Sequence, residues 1–172
     1  ATSGVMDVLT IAFLAVLPVI AVAAGVRDLA TMTIPNWMSL VLLAAFVPAA
    51  LLSGLDWQAL PGHLAVGAAA LVIGVGLFAL RVFGGGDAKL MAALSLWLGP
   101  DGVLPFLFWT AVVGGLFSLG LILARGRLAG AVPGPPWLAR LLEPKGDIPY
   151  GVAIAAGALL AWPSSAMMAA AP

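Results

Sequence analysis

The stretch 60–100, LPGHLAVGAAALVIGVGLFALRVFGGGDAKLMAALSLWLGP, decides the fold. From Leu60 to Leu80 it holds no Asp, Glu, Lys or Arg. A helix crossing a hydrocarbon core of about 30 Å needs about 20 such residues. Arg81 ends the run, three glycines and Asp87 follow, and a second apolar run extends from Ala88 to Leu98 before Gly99-Pro100. Working outward, comparable runs lie at about Met6–Val26, Trp37–Leu55, Val103–Ala124 and Pro149–Ala169. Helix is the expected element, because lipid forces backbone groups to pair within their own segment. The runs also lack the alternation of a membrane β-strand. The expectation is an all-α membrane protein with about six transmembrane helices, the span at Ala88–Leu98 being short.

Composition agrees with this. The chain is 63% apolar and 8% charged over 172 residues, against about 25% charged in an average soluble domain. A soluble enzyme of this size has no core large enough to hide so much apolar surface. A disordered chain is excluded for the same reason. Residues 1–172 read as one polytopic membrane domain. Lys+Arg and Asp+Glu balance at seven each, and with no basic stretch nothing points to nucleic acid. The absence of cysteine excludes disulfides, a thiol nucleophile and Cys-bound zinc. The single histidine makes no metal site, and no cofactor is implied. The first apolar run lacks a basic n-region and a clear cleavage signal, so it reads as a span and not as a signal peptide.

Six spans make the loops alternate sides. Arg27, Arg81, Lys89, Arg125, Arg127, Arg140 and Lys145 then all fall on one side, which the positive-inside rule makes cytoplasmic. Both termini are expected outside. The long loop at about 125–148 is cytoplasmic, and Trp137–Leu142 within it reads either as a short surface helix or as a plain connection. Trp37, Trp57 and Trp97 fall near span ends, where interfacial aromatics belong. His63, at the outer end of its span, reads as interfacial. Gly67, Gly74 and Gly114 read as points of close helix contact, and Gly114→Ala is expected to be benign.

Two acids stand out, since charge near hydrocarbon is costly and tends to mark function. Asp28 closes the first span ahead of Ile34-Pro35-Asn36. It reads equally as a loop acid pairing with Arg27 or as a working carboxylate. Asp87 follows Gly84-Gly85-Gly86 and has a structural reading as a helix cap. From Asp87 to Pro100 a helix rises only about 20 Å, short of the core thickness. Asp87 therefore lies below the inner interface, which requires a water-filled recess. The glycines are expected to form a bent, open strand beside it. Two aspartates on one side can act as a protease pair, one carboxylate taking a proton from water while its protonated partner polarises the scissile carbonyl. Lys89 reads as a snorkelling anchor or as a tuner of that pair. Asp147 reads as a loop acid or helix cap ahead of a third site carboxylate.

Asp28 with Ile34-Pro35-Asn36, and then Gly84-Gly85-Gly86-Asp87-Ala88-Lys89-Leu90, resemble the two signature motifs of type IV prepilin peptidases, the Gly-x-Gly-Asp aspartic proteases of the bacterial inner membrane. Ile148-Pro149-Tyr150-Gly151 is similar to the opening of that family's last span. The resemblance implies cleavage of prepilin and pseudopilin leaders at the cytoplasmic face, with Asp28 and Asp87 catalytic. Gly84, Gly85, Gly86, Lys89, Pro35 and Asn36 would bind substrate or shape the site. With a short connection between the first two spans and no cysteine, the chain resembles the minimal Flp/Tad-pilus type, without methyltransferase activity. An archaeal preflagellin peptidase is a close alternative. A proton-coupled transporter or membrane scaffold using the same acids is a reading from another class, and would more often show an inverted repeat.

Overall fold

The computed structural model describes residues 2–128 and 134–171. Among these, every regular element is a helix. The elements are α1 (Thr2–Leu14), α2 (Val16–Thr31), α3 (Asn36–Ser53), α4 (Leu60–Ala79), α5 (Gly85–Leu128), α6 (Pro136–Leu141), α7 (Gly151–Ala161) and α8 (Ala166–Ala170). Five helical stretches are long and apolar enough to cross a membrane: Gly4–Thr31, Asn36–Ser53, Leu60–Ala79, Gly85–Arg127 and Gly151–Ala170. Two of the expected spans, Ala88–Leu98 and Val103–Ala124, fall within the one continuous stretch α5, which breaks at Gly99 into two arms.

That helix folds back on itself. Gly99 has φ 65° and ψ −169°, a region essentially restricted to glycine. Its first arm runs antiparallel to α4, with Gly74 against Ala88 and Gly67 against Leu96. Beyond the break, Val103 and Leu107 share a cavity with Ser95 and Met91, so the second arm returns alongside the first. Pro100 has no N–H to offer the Leu96 carbonyl four residues back. His63 supplies the missing donor, its Nδ1 lying 2.8 Å from that oxygen. Ser165 Oγ likewise donates to the Trp97 carbonyl at 2.9 Å.

His63 and Trp97 are thus core residues, a correction to the interfacial placement. Both are fully buried, and the Trp97 indole donates to Leu42 O at 2.9 Å. Trp37 and Trp57 are exposed. The first span is bent where Pro18 removes a helical donor, which separates α1 from α2 at Ala15. The last is interrupted by a 3₁₀ turn at Trp162–Ser164.

Packing relies on small residues, as expected where lipid supplies no hydrophobic drive between helices. A Cβ on Gly25 would lie 2.9 Å from Ala155 Cβ, so α2 and α7 meet nearly backbone to backbone. Large apolar side chains such as Val72, Leu104 and Leu116 point outward. The short helix reading of Trp137–Leu142 holds as α6. Residues 129–133 of the expected loop, Pro133 among them, lie outside the described residues, as do Ala1 and Pro172. The loop also starts later than expected, since α5 carries Arg125 within its last turn.

Candidate active site

Asp28 sits in the last turn of α2, and the helix ends there because Met32 adopts a left-handed conformation at φ 55°. Its N–H closes on Asp28 O at 2.8 Å. The carboxylate points inward, with the residue only 5% exposed. It does not behave as a loop acid: its Oδ2 accepts the Gly151 N–H at 2.8 Å. Gly151 is the first residue of α7, so the carboxylate meets the positive end of that helix.

Asp87 lies in the first turn of α5. Its carboxylate lies against Gly84, where an added Cβ would stand 2.8 Å from Asp87 Oδ2. Asp87 is the third residue of the helix, and its side chain reaches back toward the residue that precedes the helix. The glycines consequently differ from the expected open strand. Only Gly84 is non-helical; Gly85 and Gly86 form the first turn. Gly86 is where another chain comes close, as a Cβ there would lie 2.8 Å from Ile34 O and 3.0 Å from Ile34 Cβ. Gly85 faces the Phe78 ring.

The two aspartates line one recess of about 1070 Å³. Arg81, Phe83, Gly84, Asp147 and Tyr150 share its wall. Asp147 is an exposed loop acid at this rim, as expected, and makes no cap, since α7 has no side-chain cap hydrogen bond. The Phe83 and Tyr150 rings sit 5.6 Å apart, centroid to centroid. Pro35 precedes α3 in extended conformation. Asn36 and Lys89 are bound to each other, Nζ to Oδ1 at 2.9 Å, and face a different cavity, lined without either aspartate.

Sequence reasoning missed three supporting residues. Arg125 is buried and donates to the carbonyls of Leu141, Gly146 and Asp147 at 2.9, 2.8 and 2.7 Å. It anchors the loop that carries Asp147 and Tyr150 to the recess. Ile34 is wedged between Gly86 and Gly151, its Cδ1 only 2.8 Å from where a Gly151 Cβ would stand. Tyr150 packs on Gly114, whose added Cβ would lie 2.9 Å from the phenol oxygen. Alanine at Gly114 therefore has to displace the Tyr150 phenol. The repeated Ile-Pro pairs at 34–35 and 148–149 were the available signal for Ile34 and Tyr150. Nothing local marks Arg125, because its partners are backbone carbonyls beyond a proline-rich loop.

A bundle of apolar helices with a recess lined by Asp28 and Asp87 fits a multi-pass membrane protein. The chain belongs to the type IV leader peptidase family, which it matches over residues 15–119. It is also 32% identical, over 143 residues, to the "Prepilin leader peptidase/N-methyltransferase" of Bacillus subtilis (strain 168). That match covers 82% of this chain and 51% of the relative, so the chain spans about half the relative's length. No solved structure matches it significantly.

Proposed function

We propose that this protein is an aspartic endopeptidase that removes the leader peptide from type IV (Flp-like) prepilins and pseudopilins at the cytoplasmic face of a bacterial inner membrane. The observation that carries this reading is the meeting of Asp28, from the end of α2, with Asp87, from the start of α5, in one recess. Two carboxyls held together share one proton and titrate as a pair. The ionised carboxylate takes a proton from water as the oxygen adds to the scissile carbonyl carbon. The protonated partner gives its proton to the carbonyl oxygen. Collapse of the tetrahedral intermediate breaks the C–N bond, and the amine leaves with the proton first taken from water.

The hydrogen bond from Gly151 fixes the orientation of the Asp28 carboxylate, which is what positioned acid–base catalysis requires. Gly86, Gly85 and Pro35 shape the site by letting the Ile34 segment and Phe78 close on the start of α5. Asn36 and Lys89 act from the far side of that helix on the part of the substrate that remains in the membrane. The cytoplasmic assignment rests on the loops of six spans: Arg27, Arg81, Lys89, Arg125, Arg127, Arg140 and Lys145 fall on one side, with Asp56 and Asp101 opposite. The whole chain is read as one peptidase domain, with the prepilin and the bilayer as its partners and peptide cleavage as its single activity. Co-expression with a candidate Flp-like prepilin tests the reading. It predicts a leader-sized loss of mass in the prepilin, and an unprocessed precursor would contradict it.

A further inference from the structure

On the opposite side of α5 from the recess, a groove of about 470 Å³ opens between α3 and α4. Asp87 and Lys89 are two residues apart, about 200° around the helix, so one faces the recess and the other the groove. Each of the three helices lines the groove at the same spacing (i, i+3, i+4, i+7), beginning at Asn36, Leu64 and Lys89. That spacing is a single face of an α-helix. The floor is made of small residues, with Gly67, Ala92 and Ala93 all buried. Its walls are the exposed leucines Leu40 and Leu43 on α3 facing Leu64 and Leu71 on α4. Two leucine walls over a Gly/Ala floor leave the space of one more helix at close approach.

The groove is charged at one end only. There Lys89 Nζ bonds to the neutral amide of Asn36, so this hydrogen bond leaves the ammonium charge uncompensated. The same end abuts the Ile34–Gly86 contact, and Gly86 is the residue next to Asp87. We propose that this groove holds the apolar helix of the substrate, and that a carboxylate near the start of that helix pairs with Lys89. The chain preceding the helix then passes over the Gly86 turn into the recess. This rests on the peptidase reading above and assigns to that site a second element of substrate recognition.

The test uses the full protein in phosphatidylcholine vesicles and synthetic peptides. Each peptide has a basic leader ending in Gly, then a Leu/Ala helix of about 20 residues. One glutamate is moved through successive positions of the first two helical turns. One register is expected to lower KM by about fivefold. Lys89→Arg keeps that advantage and Lys89→Met abolishes it, while Ala68→Phe, from an exposed position in the groove, raises KM. Equal KM in every register, or an advantage that survives Lys89→Met, overturns the proposal. So does a Lys89→Met defect that appears without any glutamate and only in phosphatidylglycerol vesicles, which assigns the lysine to lipid. Failure of the wild-type protein to cleave any of these peptides instead overturns the peptidase reading, and this inference with it.

Discussion

Gly86 is the position beside Asp87 where one added carbon presses on another segment's backbone. Its Cβ would stand 2.8 Å from Ile34 O and 3.0 Å from Ile34 Cβ, whereas carbon contacts settle at about 3.5–4.0 Å. A methyl group there must push the Ile34 backbone away by roughly half an ångström or more. Ile34 cannot yield freely, because its Cδ1 already fills the space beside Gly151. Gly151 in turn donates the hydrogen bond that holds Asp28. The displacement therefore reaches the carboxylate on the far side of the recess. A misplacement of about 1 Å costs roughly a hundredfold in rate, so Gly86→Ala is expected to lose about tenfold or more in kcat/KM. Gly86→Val is expected to lose nearly all activity. Overpacking also destabilises by about 1–3 kcal/mol, so melting temperature is read on the same detergent-purified samples. Gly115→Ala serves as the control, since nothing lies within 4 Å of its added Cβ. Full cleavage by a well-folded Gly86→Val protein would refute this chain of contacts.

Arg125→Ala strips three loop carbonyls of a charged donor, and hydrogen bonds to charged groups contribute about 1.5–3 kcal/mol. A drop in Tm of about 5–10 °C with a parallel loss of cleavage is expected, and an unchanged melting curve would contradict the anchoring role. Gly114→Ala presses on Tyr150 and is expected to lower cleavage more than Gly115→Ala; equal rates would show that the Tyr150 wall of the recess is dispensable. Cysteines at Thr31 and Gly126 are expected to react only with reagent admitted to the cytoplasm, and one at Gly102 only from outside. Labelling at Thr31 from outside would reverse the charge-based topology. The cleaved product is expected to show no mass gain with S-adenosylmethionine; a 14 Da addition would assign methyl transfer to this chain as well.

The apolar runs were readable because a membrane span is a local property, its length and polarity being written in consecutive residues. Their ends agree with the helices to within a few residues at α3 and α4. Asp28 and Asp87 stood out because charge is rare in such sequence, and both line the one recess. What failed was contact between distant segments. His63 and Trp97 look interfacial by position, yet Gly99 and Pro100 turn the chain back and leave carbonyls that draw His63 and Ser165 inward. Gly85 and Gly86 look like an open strand until Phe78 is seen against the first and Ile34 against the second. Gly114 looks neutral until Tyr150 is brought up to it from the last span.

The central claim is that Asp28 and Asp87 act together on a peptide bond. The most direct test measures single-turnover cleavage of a synthetic prepilin by the wild-type protein, Asp28→Asn and Asp87→Asn, with melting temperature on the same samples. Asparagine keeps the size of each side chain, and at position 28 an oxygen able to accept the Gly151 N–H. Both variants are therefore expected to fold, with cleavage falling to background in each. An amide can neither take the proton from water nor share it. Near-wild-type cleavage by either variant would contradict the account.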